Sequence, residues 1–405
     1  MQPSDRFDIV CISTNDWTGL PTSKQHLMSV LSEDRRVLFV DPPTDVFSVI
    51  GRRRRWPKLG GVRRVRERLW VLSPLVASVP SGPTRMQAYH GSIAPRVRSA
   101  ARRLGIESPV LWTFSPEHSP YVGAMGERVA VYQAADEPAA FSSDPGATAA
   151  LERAHIEAVG LVLVASESLL EARAASGKAH RLPNAADVRH YKGAIADDAD
   201  AEDELFVEVL KHPTRIPAEF DDLERPIVFY GGAAYGWFDF DLLAEVARRR
   251  PDWSFVLVGP VGRGPASRGL PGNVRLLGRR DYDDFPGYVL GADVAILPWR
   301  DGPFSRNADP IVLYEYLLCG KPVVATPFRA ALEKGALVRT ADSAEAFGAA
   351  IEEGLAERPG GEGFRSRVSY ALANTWESRA ATAIELIGEV LRREGAEDGP
   401  AKGSA

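Results

Sequence analysis

The chain has 405 residues, more than one hydrophobic core comfortably serves, and its 45% hydrophobic and 25% charged residues are those of an average soluble globular protein, so two domains are expected. A net charge of -5 gives no global attraction to nucleic acid, and no apolar run approaches the ~18 residues of a bilayer span. Two cysteines, Cys11 and Cys319, both in apolar contexts, exclude a disulfide framework and a cysteine-rich metal site.

The opening "MQPSDRFDIVCIST" has no basic lead before its first apolar run, so the expected location is cytoplasmic. "FDIVCIST", "LMSVL" and "RVLFVDPP" predict a strand, a helix and a strand. "GRRRRWPKLGGVRRVRER" follows, in which Arg52 to Arg55, Lys58, Arg63, Arg64, Arg66 and Arg68 face only Glu67. This basic run reads either as a solvated loop or as a site for an anionic partner. The partner would be a phosphorylated or lipid-linked substrate, or an anionic membrane that holds the protein at its inner face. No nucleic-acid partner is expected, because no reader motif accompanies the run.

"SPVLWTFSP", "RVAVYQA" and "LVLVASES" continue the series with helical stretches between them. Buried runs alternating with helices imply a parallel sheet covered on both faces. Residues 192–225 are acidic and proline-punctuated, which predicts a connector with one short helix. A second series runs from "PIVFYGG" through "WSFVLVGP", "NVRLLG", "DVAILPW" and "PVVAT" to the helix "AEAFGAAIEEGL". The fold class is therefore α/β, with two tandem Rossmann-like doubly wound domains. The expected boundaries are 1–191 for the first domain, 192–225 for the linker and 226–374 for the second domain. An amphipathic helix follows over 375–393 ("TWESRAATAIELIGEVLRR"), and residues 394–405 form a small-polar, disordered tail.

The second half resembles the nucleotide-sugar domain of retaining glycosyltransferases of the GT-B fold, family 4 or glycosyl transferases group 1. "VFYGG", "WSFVLVGP", "NVRLLGRRDYDDFPGYVLGADVAILPW" and "LYEYLLCGKPVVAT" stand in that family's order. The first half, through "RVLFVDPP", "VLWTFSP", "VYQAADE" and "LPNAADVRHY", is similar to bacterial surface-polysaccharide transferases of the teichuronic-acid type. The resemblance implies metal-independent transfer of a sugar, with retention, from a nucleotide diphosphate sugar to a hydroxyl of a small-molecule, glycan or lipid-linked acceptor. It implies no cofactor beyond that co-substrate. The first domain would take the acceptor and the second the donor, and the last helix would return to the first domain. There Trp376 would pack at the crossing, with Ala380, Ile384, Ile387 and Leu391 as its buried stripe. Two other readings use the same architecture: a nucleotide-sugar epimerase, and a non-catalytic nucleotide-sugar binder with a degenerate site.

In "NADPIVLYEYLLCGKPVVAT", Asp309 is a good N-cap, Pro310 a good first helical residue and Gly320 a good stop. The amides of Ile311 and Val312, with the helix dipole behind them, predict a diphosphate site. Glu315 lies about one turn farther in, and the resemblance assigns it to the ribose. Asn307 stands where the family has an acid that contacts the donor sugar, and an amide carries no charge. The turn at Gly231 and Gly232 lacks the family's basic pair, since "GGAAYGWFDFDLLAEVARRR" has no base before Arg248. Arg306, with Arg279 and Arg280 behind it, is the nearest substitute, or else an exposed loop arginine. In the first half, His118 of "SPEHSPY" stands near the family's histidine beside the donor sugar, or is a solvated loop histidine. Gly19, Lys24 and His26 of "NDWTGLPTSKQH" and Asp136 of "QAADEP" follow strands and are candidates for the acceptor or the cleft.

Overall fold

The computed structural model describes residues 7–45, 61–77, 79–213, 215–262, 264, 267 and 269–397. It divides into two compact units, Met1–Pro183 with Glu377–Ala405, and Asn184–Trp376.

The first unit is built on ten strands: β1 (Ile9–Ile12), β2 (Val37–Val40), β3 (Thr44–Asp45), β4 (Gly61–Arg66), β5 (Leu69–Ser73), β6 (Leu75–Val76), β7 (Val110–Thr113), β8 (Val129–Ala134), β9 (Leu161–Val164) and β10 (Ala179–Arg181). Eight of them form one sheet in the order β10-β9-β8-β7-β1-β2-β5-β4, and β3 pairs separately with β6. The eight-stranded sheet is parallel except at its edge, where β4 runs antiparallel to β5. β1, β2, β7, β8 and β9 are buried at every residue, as expected for strands covered on both faces. Helix α1 (Ser23–Leu31) follows β1, α2 (Pro83–Arg103) precedes β7, α3 (Pro145–Ala158) precedes β9, and α4 (Glu167–Arg173) follows β9. Strand order reverses between β1 and β7, so the loops at their carboxyl ends border the natural ligand crevice of this sheet.

The basic run is partly structural. Arg63, Arg64 and Arg66 lie on β4, and Arg64 donates to the carbonyls of Arg66 and Glu67 while resting over Trp70. Arg52 to Arg55 and Lys58 lie outside the described residues, as does the tail over 398–405.

The second unit opens with helices α5 (Val188–Ala196) and α6 (Asp203–Lys211). Residues 192–225, expected as a connector, are part of this unit. Tyr191, Ile195, Phe206, Leu210 and Phe220 enter its core, and Lys192 fastens α5 to the carbonyl of Ala201 and the carboxylate of Asp203. Their apolar residues are spaced for helices, and the dense acids around them hide that period. Strands β11 (Ile227–Gly231), β12 (Ser254–Val258), β13 (Val274–Gly278), β14 (Val294–Leu297), β15 (Val323–Ala325) and β16 (Arg339–Thr340) form an all-parallel sheet in the order β13-β12-β11-β14-β15-β16. Its helices are α7 (Phe240–Arg249), α8 (Phe285–Gly291), α9 (Pro303–Asn307), α10 (Ile311–Leu318), α11 (Arg329–Leu332), α12 (Ala344–Leu355) and α13 (Glu362–Ala373). Here strand order reverses between β11 and β14. Both units are doubly wound α/β sheets.

Helix α14 (Trp376–Glu397) carries the chain into the first unit from Glu377 onward. Trp376, Ala380, Ile387 and Leu391 are buried, but Ile384 is only half-buried, and Ala383 and Val390 complete the stripe. Val390 packs against Gly160, where an added Cβ would stand 3.3 Å from it.

Candidate functional site

At the carboxyl end of β11, a Cβ on Gly231 would collide with the Phe285 ring, and Gly232 holds φ +139, a conformation that favours glycine. The Gly231 amide donates to the Tyr316 hydroxyl (2.7 Å) and that of Gly232 to the Val258 carbonyl (2.8 Å). Gly231 and Gly232, expected at the donor, therefore have their amides engaged within the fold.

Helix α10 begins one residue later than expected. Pro310 is its extended cap residue, and Asp309 is turned elsewhere. The Asp309 carboxylate, 4% exposed, accepts from the Asn184 amide at 2.7 Å and from the Tyr314 hydroxyl at 3.1 Å. The Asn184 side-chain amide donates to the Asp309 carbonyl. Lys334 donates in turn to the hydroxyls of Tyr314 (3.2 Å) and Tyr370 (3.1 Å). This buried chain of bonds drew Asp309 away from capping and fixes where α10 starts. Among the described residues, the amides of Ile311 and Val312 have no protein acceptor, whereas that of Leu313 bonds to the Pro310 carbonyl. Gly320, at φ +65, ends the helix as expected.

Glu315, on α10, is 3% exposed and accepts a hydrogen bond from the Tyr282 hydroxyl at 2.9 Å. No cation pairs with it among the described residues. Burial pushes its carboxyl up to about 7, with the Tyr282 bond opposing and Asp187 adding to the rise. The Tyr282 ring stacks on His190 at 4.3 Å between centroids and 13° between planes. The Tyr191 hydroxyl is buried without a hydrogen-bond partner among the described residues, and burial together with Glu315 holds it well above the usual tyrosine range. His190 and Asp283 border a groove of about 850 Å³ that Arg189, Glu219, Arg280 and Tyr288 also line. Tyr191, His190 and Tyr282 were missed in the sequence because they come from α5 and from the loop after β13, far from Glu315 along the chain.

The remaining candidates of this unit are held by neighbours. Asn307 ends α9, and its side chain donates back to the Pro303 carbonyl at 2.8 Å. Arg306 is exposed and forks onto Asp301 at 2.8 and 2.5 Å. Arg280 bonds to Tyr288 (2.9 Å) and Glu219 (3.2 Å), and Arg279 is exposed. Where the family resemblance implies bases after β11, Trp237 stacks on Phe304 of α9 at 4.3 Å and Tyr235 is 41% exposed.

In the first unit, His118 is not a solvated loop residue. It lies in a 3-10 turn over Pro116–Tyr121, is 2% exposed, and meets the His90 ring edge-on at 4.8 Å. Burial, then His90, His155 and Lys24, hold its pKa well below the usual imidazole range, so the ring is neutral. Lys24 is buried in the first turn of α1 with its ammonium over the Phe114 ring at 5.1 Å, and burial lowers its pKa against the opposing pull of Asp136. Asp136 is exposed in the turn after β8. His26, like Lys24, is buried within α1. Gly19 is exposed in a tight turn whose amide donates to the Asp16 carbonyl at 3.0 Å. Among the described residues, no group of three or more side chains could hold a metal ion, and no helix is long and apolar enough to cross a membrane.

Two doubly wound α/β units in one chain are the architecture of the GT-B fold. Solved structures with this fold superpose along nearly the whole chain. Sucrose-phosphate synthase of Thermosynechococcus elongatus does so with TM-score 0.65 at 17% identity, covering 97% of this chain and 100% of that one. A UDP-forming alpha,alpha-trehalose-phosphate synthase of Burkholderia xenovorans, in complex with glucose-6-phosphate, gives 0.63 at 10% identity, covering 94% and 99%. Residues 227–357, within the second unit, match the family model described as glycosyl transferases group 1. A Bacillus subtilis protein named as the teichuronic acid biosynthesis glycosyltransferase TuaH is 36% identical over 97 residues. That match spans 22% of this chain and 23% of the relative's length.

Proposed function

We propose that the chain is a metal-independent glycosyltransferase that moves a sugar from a nucleoside diphosphate to a hydroxyl acceptor with retention of configuration. The second unit takes the donor and the first the acceptor. The observation that carries this reading is Glu315: a carboxyl group buried in an apolar helix, with no cation paired to it among the described residues, costs stability. Its chemistry suits a ribose, whose two hydroxyls replace the single bond from Tyr282 and reach the unpartnered Tyr191 hydroxyl. The amides of Ile311 and Val312 then face the diphosphate and oppose the charge that grows on it as the glycosidic bond breaks. No second carboxylate is required, which separates this chemistry from the paired acids of glycosidases. His118, neutral and buried, supplies a hydrogen bond and no charge. Asn307, once released from Pro303, contacts the sugar, and Arg306, once released from Asp301, is the candidate cation for the diphosphate.

The engaged arginines and the folded-back Asn307 favour a second reading, a nucleotide-sugar binder without turnover. Incubation of the chain with UDP-, GDP- and dTDP-hexoses together with a panel of methyl hexopyranosides as hydroxyl acceptors, followed by NMR of the products, separates the two. Release of nucleoside diphosphate with the donor's anomeric configuration kept in the new glycoside is the expected result. Binding without release would leave the binder, and an epimerised sugar still joined to its nucleotide would indicate an epimerase.

A further inference from the structure

Lys24 is 7% exposed, and among the described residues its ammonium has neither a hydrogen bond nor an ion pair. The other buried lysines are satisfied. Lys192 donates to the Ala201 carbonyl and to Asp203, and Lys334 to two tyrosine hydroxyls. Half-buried Lys178 and Lys321 also donate to backbone carbonyls. A buried ammonium without an oxygen acceptor is costly, and the fold supplies acceptors to its counterparts but not to this one.

Its position is equally specific. Lys24 stands in the first turn of the helix after β1, and Phe114, under its ammonium, directly follows β7; these strands flank the reversal of strand order in the first sheet. Asp136 follows β8, the next strand, and among the described residues it has no hydrogen bond and no ion pair. Phe114 and Asp136 thus follow neighbouring, paired strands of one sheet, and the Asp136 carboxylate opposes the fall that burial imposes on the Lys24 pKa. The arrangement offers one donor and one acceptor that leave each other unsatisfied. A phosphate or carboxylate would satisfy Lys24 but be repelled by Asp136, whereas a hydroxyl is donor and acceptor at once.

We propose that Lys24 and Asp136 together hold one hydroxyl of a neutral sugar acceptor, Lys24 Nζ donating to its oxygen and Asp136 accepting its proton. The inference rests on the reading that the first unit takes the acceptor. It is tested by saturation-transfer NMR on the full chain, with a panel of neutral methyl hexopyranosides and the corresponding hexose phosphates as probes. At least one glycoside should bind, and Lys24→Met and Asp136→Asn should each weaken it about tenfold, the loss expected for a hydrogen bond to a charged group. Asp136 is exposed, so its variant tests the pair even if the lysine variant misfolds. The inference is overturned if no glycoside binds, if the Asp136 variant binds as the parent does, or if hexose phosphates bind and Asp136→Asn tightens them. Titration of the parent chain with UDP, GDP and dTDP keeps the donor reading separate. A chain that binds a glycoside but no nucleotide supports the inference and fails that reading, and the converse overturns the inference alone.

Discussion

The Glu315 carboxyl changes charge near neutrality because burial pushes it up to about 7 from an ordinary 4.5. Between those two pH values the folded chain keeps a proton that the unfolded chain has released. This group's contribution to stability therefore falls as pH rises through the window, by about 3 kcal/mol in all, and stays low above about pH 7. Glu315→Gln keeps an oxygen for the Tyr282 hydroxyl and removes the charge. The variant should be more stable than the parent at pH 8, by about 1 to 3 kcal/mol, and this advantage should shrink to below about 1 kcal/mol at pH 5. Urea unfolding at both pH values checks this, and an equal advantage at both would mean that the carboxyl is not strained by burial. The single acid in the apolar run "IVLYEYLL" was visible in the sequence. Its roof was not, because the stacking of Tyr282 on His190 joins residues 92 positions apart through tertiary structure alone.

At the scale of the element, α10 is placed by its approach rather than by a cap. Asp309 receives the Asn184 amide and the Tyr314 hydroxyl, so Asp309→Ala orphans two buried donors at a cost of about 1 to 3 kcal/mol each. The expected outcome is a lower midpoint of chemical unfolding, with Asp309→Asn falling between the variant and the parent. An unchanged midpoint for the alanine variant would show that the network does not hold the helix. Strands such as "VCIS" and "VFYG" could be read directly, since burial on both faces writes an unbroken apolar run. Helices α5 and α6 were harder to place as parts of a domain, because the acids and prolines of the segment around them mask the short core-facing sets Val188, Tyr191 and Ile195 on one and Phe206 and Leu210 on the other. The N-cap at Asp309 misled for a related reason: a good capping residue is also a good buried acceptor, and the tertiary partners Asn184 and Tyr314 won.

Across the whole molecule, the two units should respond to acid in opposite directions. In the first, burial lowers His90 and His155 to about 4 and holds His118 well below its ordinary value. The unfolded chain then binds more protons than the folded one below about pH 6.5, so this unit loses stability as pH falls through 6.5 toward 4. In the second, Glu315 gains a proton as pH falls from 7 and that unit becomes firmer. Amide exchange corrected for intrinsic rates should show protection in β7 and β8 dropping from pH 7 to pH 5 while protection in β11 and β14 holds or rises. Changes of the same sign in both sheets would contradict the assignment of the buried charges. The central claim, a nucleoside diphosphate held by Glu315 in the second unit, is tested most directly by calorimetric titration of the full chain and of Glu315→Gln with UDP, GDP and dTDP at pH 8. At least one nucleotide should bind the parent chain and bind the variant at least about tenfold more weakly. Equal affinity for both chains, or no binding by the parent, would contradict it.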